Sequence, residues 1–164
     1  EPLVLDADGL NALQGCTEKL DVRRGRVTIL TPHDGEFARL TDRTLREIAS
    51  SERTELASRF ACAHGCILVL KGHRTRIALP DGRMLVNTSG CSALSKGGSG
   101  DVLTGLIASL LCQGMGAAEA AVLGVWLHGR AGELLAQEMT AYCASPRELV
   151  TRGLGLAFRE LLEA

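Results

Sequence analysis

Hydrophobic positions along the chain fall into two kinds of run. Leu3-Val4-Leu5, Val27-Thr28-Ile29-Leu30 and Ile67-Leu68-Val69-Leu70 are short apolar segments, each followed by polar residues. Runs of this kind, separated by helical stretches, predict strands of a parallel sheet covered on both faces. The second kind has helical spacing. After Asp101 the pairs Val102/Leu103, Leu106/Ile107 and Leu110/Leu111 recur every four residues and predict a helix with one apolar stripe. Further helices are predicted from Phe37 to Leu40, over Thr44 to Cys62, over Ala117 to Met139 and over Arg147 to Leu162. Asp81-Gly82, between Thr75–Pro80 and Arg83–Asn87, signals a tight hairpin. No linker, repeat or low-complexity segment interrupts this order, which describes one α/β unit.

Composition sharpens the picture. The chain has 164 residues, the size of one domain, and is 46% hydrophobic but only 3% aromatic. Its core must be mostly Leu, Val, Ile and Ala, which favours helices packed on a parallel sheet over a β-sandwich. Eighteen basic residues against nineteen acidic ones, with no long basic run, argue against a nucleic-acid partner. The six cysteines lack CxxC spacing and read as reduced thiols of a cytoplasmic protein. The tightest group, Cys62-Ala63-His64-Gly65-Cys66, falls short of the four ligands of structural zinc, and burial at a helix end accounts for it. No signal peptide is evident, and no apolar stretch reaches the about 20 residues of a membrane span. The chain opens on Glu1-Pro2-Leu3 without Met, almost directly on a strand, so it is expected to be the later part of something longer.

In an open α/β sheet, ligands bind beyond the carboxyl ends of the strands. Here those ends run into Asp6-Ala7-Asp8, Thr31-Pro32-His33-Asp34-Gly35-Glu36 and Lys71-Gly72-His73-Arg74-Thr75. Asp8 or Asp34 alone could cap a helix, but ionisable residues on all three loops point to a cleft. The stretch Gly97-Gly98-Ser99-Gly100-Asp101 adds a second element. Its glycines leave backbone amides uncovered, and the helix that follows contributes the positive end of its dipole, together making a phosphate-type anion site. It is neither a Walker loop nor GxGxxG. Asp101 then has two readings: the N-cap of the helix, or a general base taking a proton from a substrate hydroxyl while the amides hold a transferring phosphoryl group. His64, His73, His128 and Trp126 read as core or surface residues. Arg74 and Arg76 have two readings, contact with a phosphate or ordinary solvation.

GGSGDVLTGLIASLL at 97 to 111 resembles the C-terminal signature of the NAD(P)H-hydrate dehydratases, a branch of the ribokinase-like superfamily. LDADGLNAL at 5 to 13, LTPHDGEFARL at 30 to 40 and VLKGHRT at 69 to 75 resemble the same family in the same order, and Asn87-Thr88-Ser89-Gly90 also fits. The resemblance implies a ribokinase-like three-layer α/β/α fold with a mainly parallel central sheet. Residues 1 to 164 would be the C-terminal part of a single such domain, its N-terminal part being absent. It implies ADP- or ATP-driven dehydration of hydrated NADH or NADPH, by phosphorylation of the ring hydroxyl and elimination of phosphate, with Mg²⁺ accompanying the nucleotide. Asp101 would be the base at the hydrate. Gly97, Gly98, Ser99 and Gly100 would form the anion hole, and Lys71, Gly72, His73, Arg74 and Thr75, with Gly100, would contact the nucleotide. His33 would touch the hydrated dinucleotide, with Asp8, Asn11, Gly35 and Glu36 on the same side.

The chain departs from the family where Asp34 replaces a usual proline and where Cys91-Ser92 replaces Asn-Pro. Two other functions share the aspartate: a small-molecule kinase of the hydroxymethylpyrimidine or sugar type, and a nucleotide-sensing module without turnover. GGSGD does not separate dehydratase from kinase. Apolar faces on the late helices lead to the expectation of a homo-oligomer, and the N-terminal remainder of the same protein is a further expected partner.

Overall fold

The computed structural model of the chain describes residues 1–49 and 52–163. Five strands form one sheet in sequence order: β1 (Leu3–Leu5), β2 (Thr28–Leu30), β3 (Ile67–Leu70), β4 (Arg76–Ala78) and β5 (Met84–Val86). The first three are parallel, with Val4 opposite Ile29 and Ile29 opposite Ile67. The last two are antiparallel and form the hairpin expected at Asp81-Gly82. Parallel pairing is thus confined to the three continuously apolar runs.

Strand side chains alternate between faces, and this alternation separates the layers. Leu30, Leu68, Leu70 and Ala78 face α1 (Ala7–Asn11), α2 (Asp34–Thr41) and α4 (Arg53–His64), packing on Leu10, Phe37, Ala57 and Phe60. Ile29, Ile67, Val69 and Ile77 face the opposite way, onto Leu103 and Ile107 of α5 (Ser99–Cys112) and Ala121 and Val125 of α6 (Ala117–Met139). A third cluster joins α5 and α6 to the C-terminal helix α8 (Leu154–Glu163) through Leu106, Leu110, Leu127, Leu135, Leu149 and Ala157. Fully apolar strands result because both faces are covered.

Two helical expectations are corrected. The stretch from Thr44 to Cys62 is not one helix: α3 spans only Leu45–Ile48, and α4 begins at Arg53. Thr44 starts α3 with a capping box, its Oγ1 accepting from the Glu47 amide while Glu47 accepts from the Thr44 amide over 2.7 Å. Ser50 and Ser51, residue types that disfavour helix interiors, fall between the two helices and lie outside the described residues. The C-terminal helix likewise begins as a short α7 (Pro146–Glu148), capped by Ser145 and Glu148, and passes through a wider turn at Leu149–Gly153 before α8. Cys66 is buried, and burial pushes its thiol up to about 12, whereas Cys62 is exposed and His64 Nδ1 lies 3.3 Å from Asp21. Among the described residues no helix is long and apolar enough to cross a membrane.

Ile107 is fully buried, and α6 approaches it so closely that a Cβ on Gly124 would stand 2.7 Å from its Cγ1. Ile107→Ala is expected to lower stability by about 2–5 kcal/mol, read as a fall in the urea midpoint with an unchanged slope.

Candidate active site

The three parallel strands end on one side of the sheet, and their loops meet the N-terminus of α5 around a cleft of about 1010 Å³. That is the size of a site for a large ligand. Each loop contributes differently.

The loop after β2 leads into α2, and there the cap is not Asp34. His33 is the N-cap: its Nδ1 accepts from the amides of Gly35 (2.9 Å) and Glu36 (3.3 Å). With Nδ1 an acceptor, the proton sits on Nε2, which lies 3.5 Å from Glu36 Oε1. Glu36 completes the box by accepting from the His33 amide over 2.7 Å, so it stays buried although ionisable. The cap fixes which ring edge His33 turns toward the cleft, since one nitrogen is already committed to the backbone.

The loop after β3 starts at Lys71. Its ammonium does not extend to solvent but lies 2.7 Å from Asp6 Oδ1, at the end of β1, and 3.7 Å from Glu36 Oε2. Thr104 of α5 donates to Asp6 Oδ2 over 3.0 Å, and Thr104 in turn meets Thr31 at 3.3 Å. Burial works against the Asp6 charge, but the Lys71 ammonium, Thr104 and the Ala7 amide outweigh it and hold the carboxyl below its ordinary range. Gly100 sits over this pair: a Cβ there would stand 3.2 Å from Lys71 Nζ and 3.3 Å from Asp6 Oδ2. Beyond Lys71, His73 and Arg74 are exposed at the rim, and Arg74 holds a left-handed φ of 56°.

The glycine stretch opens α5, with Gly98 as N-cap at φ 90°, a left-handed conformation natural to glycine. Asp101 is therefore not the cap but lies two residues inside the helix. The first-turn amides of Gly100 and Asp101 have no acceptor within the helix and remain available to an anion. Asp101 lines the cleft, exposed, and its carboxylate has no hydrogen-bond or ion-pair partner among the described residues. Ser99 is turned the other way: buried, its Oγ lies 3.0 Å from Nε2 of His128 on α6.

Asp101, Gly97 to Gly100, Lys71 to Thr75, His33 and Glu36 thus share one cleft. Asp8, Asn11 and Gly35 do not line it. Asn11 is held at the flank by Asp8 (3.4 Å) and by Arg39, whose Nε donates to its Oδ1 over 3.1 Å. Asp6, read only as one of several ionisable loop residues, and His128, read as core or surface, also line the cleft, and Thr104, which does not line it, holds Asp6. For Asp6 a signal existed, since it is the first residue after an apolar strand run. For His128, inside a helix, none did. The wall at Asn87–Ser92 is anchored by Ser89 donating to the Trp126 carbonyl (3.0 Å) and by the Gly90 amide donating to Glu133 (2.7 Å). Lys96 is tied to the carbonyls of Tyr142 and Ala144.

The fold is that of the ribokinase-like class of proteins: a solved ribokinase-like superfamily protein of Enterococcus faecalis superposes with TM-score 0.79 at 26% identity, over 97% of this chain and 53% of that one. Within it, the chain belongs to the NAD(P)H-hydrate dehydratase family, whose model matches residues 1–152. It is 45% identical over 136 residues to the ADP-dependent (S)-NAD(P)H-hydrate dehydratase of Neisseria meningitidis, covering 82% of this chain and 46% of that protein. Against the bifunctional NAD(P)H-hydrate repair enzyme Nnr of Thermofilum pendens the identity is 45% over 138 residues, 84% of this chain and 26% of that protein. The solved ADP/ATP-dependent NAD(P)H-hydrate dehydratase of Bacillus subtilis, co-crystallised with ATP/Mg²⁺ and soaked with CoA, superposes with TM-score 0.82 at 35% identity. The match covers 97% of this chain and 56% of that one. The chain therefore spans about half the length of such single-function relatives, and about a quarter of the bifunctional one.

His128 offers a test of the cleft wall. Burial is the main cause that pushes its pKa down to about 4 from 6.5, with the Lys71 charge adding and a backbone bond at Ser99 opposing. Between those pH values the unfolded chain takes up a proton that the folded chain refuses, so stability falls as pH drops through the window. His128→Asn is expected to abolish up to about 3 kcal/mol of that pH dependence, measured by denaturant unfolding at pH 7 and pH 4.5.

Proposed function

We propose that this chain carries the phosphoryl-transfer half of an ADP- or ATP-dependent dehydratase that restores NADH and NADPH from their hydrates. The observation that carries the reading is the position of Asp101. It is an exposed carboxylate in the first turn of α5, without a partner among the described residues, beside free amides and facing a cleft also lined by residues 33, 36 and 71 to 75. The helix end by itself favours a carboxylate, but a phosphate bound at the same amides would repel it unless the carboxylate acts on what arrives there. A base poised next to a transferring phosphoryl group answers that requirement.

In this proposal the hydroxyl oxygen on the hydrated nicotinamide ring bonds to the terminal phosphorus of the nucleotide. The phosphorus bond to the shortened nucleotide breaks, and the hydroxyl proton passes to Asp101. The phosphate then leaves with the carbon–oxygen electron pair, the adjacent ring carbon gives up a proton, and the ring double bond re-forms. Amides of Gly97, Gly98 and Gly100, with that of Asp101, hold the phosphoryl oxygens, the Ser99 amide being given to the Lys96 carbonyl, and Lys71 to Thr75 border the donor nucleotide. His33 and Glu36 border the dinucleotide, with Asp8, Asn11 and Gly35 on its outer flank.

Mg²⁺ would neutralise phosphate charge in this site. The residues suit an ion carried on nucleotide phosphates: no group of three ligating side chains occurs among the described residues, and Asp6 and Glu36 are engaged by Lys71. Asp101 is the carboxylate left open to such an ion or its water. Six free cysteines suit the reducing cytoplasm, and exposed Val150, Leu161 and Leu162 suit a homo-oligomer. The rest of the domain, expected to precede this chain, would complete the dinucleotide side.

The test follows the NADH absorbance band in the intact protein given hydrated NADH, Mg²⁺ and ADP or ATP. Nucleotide-dependent recovery is expected, falling about 10²–10⁴-fold in Asp101→Asn. Nucleotide binding without recovery would replace the dehydratase reading by a kinase acting on another alcohol. Unchanged response in Asp101→Asn would leave only a nucleotide-sensing module.

A further inference from the structure

Arg53, the first residue of α4, stands behind the cleft and does not line it, yet it touches both of the loops that do. Its Nη2 lies 2.7 Å from Asp34 Oδ1, in the first turn of α2, and the same nitrogen donates to the Lys71 carbonyl over 2.8 Å. One atom thus bridges the loop after β2 and the loop after β3. The Arg53 side chain is 11% exposed against 37% for Asp34. Gly72 leaves the space for it: with a φ of 151°, it would carry a Cβ 2.8 Å from that nitrogen. Among the described residues Arg53 Nε and Asp34 Oδ1 have no aligned hydrogen-bond partner, so the link to Asp34 is ionic attraction in a partly dry setting. The nearby cation, Arg76, is turned away to Thr54, to which its Nε donates over 2.9 Å.

Two other contacts join the same loops. The Lys71 amide donates to the Pro32 carbonyl over 2.8 Å, extending the strand pairing by one bond, and Lys71 Nζ approaches Glu36 on the cleft side. The Arg53 bridge differs from both. It reaches past Pro32 to the start of α2 and attaches there through a side chain that no ligand in the cleft would touch.

We propose that Arg53 is a positioning residue that clamps the acceptor-side loop at 33 to 36 to the donor-side loop at 71 to 75, making occupancy of one felt at the other. This rests on the assignment of the two loops to two ligands made above. A nucleotide that orders residues 71 to 75 fixes the Lys71 carbonyl, and with it the Arg53 guanidinium. Asp34 is then held, and the turn presenting His33 is ordered before the dinucleotide arrives. By linkage the dinucleotide favours nucleotide binding to the same degree, and the shared ordering cost is met by whichever ligand binds first.

The test reads amide hydrogen exchange at residues 33 to 36 and 71 to 75 in the intact Asp101→Asn protein, where nucleotide binds without turnover. Nucleotide is expected to slow exchange in both segments. Adding Arg53→Met should preserve the slowing at 71 to 75 while cutting that at 33 to 36 by about fivefold or more, the lower range of ordinary site coupling. Arg53→Lys, which returns a cation to the same place, should restore most of it. Slowing at 33 to 36 that survives Arg53→Met overturns the clamp, as does equal loss in Met and Lys variants, which marks a packing role. Slowing confined to 71 to 75 before Arg53 is changed overturns the clamp and leaves the dehydratase reading standing. Slowing in neither segment overturns the nucleotide assignment with it.

Discussion

The ion pair between Lys71 and Asp6 is the contact on which the rest of the site depends. It joins the ends of β1 and β3, which flank β2 without touching each other, and it does so beneath Gly100 at the start of α5. Two charges taken out of water are expensive, and they hold their place only when the remaining lone pairs are also used. Thr104 uses one on Asp6, and Glu36 lies on the far side of Lys71. Removing Lys71 leaves the Asp6 charge without a cation, and removing Asp6 leaves Lys71 with only the longer contact to Glu36. The cleft floor is therefore rigid because its components cannot be satisfied separately.

That rigidity divides labour between residues of the same type. Asp6 and Asp101 are both carboxylates near the glycine loop, but one is enclosed by donors and the other is open to the cleft. An enclosed carboxylate is a fixed charge that orients the backbone above it. An open one can exchange protons with whatever arrives. The three histidines near the site divide similarly. His33 spends Nδ1 on the backbone, His128 is kept neutral by burial against Ser99, and His73 is left exposed at the rim. Ser99 illustrates the cost of such an arrangement: its hydroxyl serves α6 rather than the anion site, which is left to backbone amides.

Two positions beside the cleft are held by local contacts. Asp34 pairs with Arg53, so the turn at the start of α2 is held by a charge contact from α4. Cys91 and Ser92 lie in the cleft wall, where Ser89 and Gly90 are held by α6, so the wall's position rests on neighbouring residues.

Much of this was legible in the linear chain. Leu3–Leu5, Ile67–Leu70, the hairpin at Asp81-Gly82 and the helix Ala117–Met139 follow from hydrophobic runs, turn chemistry and helical periodicity, all local properties. The gathering of the three loops followed from strand direction, because parallel strands must end on the same side. Helix continuity between Thr44 and Cys62 was misjudged because capping by Thr44 and Glu47 competes with periodicity. Asp101 read equally as cap or base in sequence; the fold, by setting Gly98 as cap, removed the cap reading. The pairings of Asp6 with Lys71, Ser99 with His128 and Arg53 with Asp34 were invisible, since their partners lie 65, 29 and 19 positions apart. Local patterning along the chain was enough for most of the elements and for the edge where chemistry collects. Tertiary structure alone decided which charges are enclosed and which are free, because that depends on distances set by packing rather than on spacing along the chain.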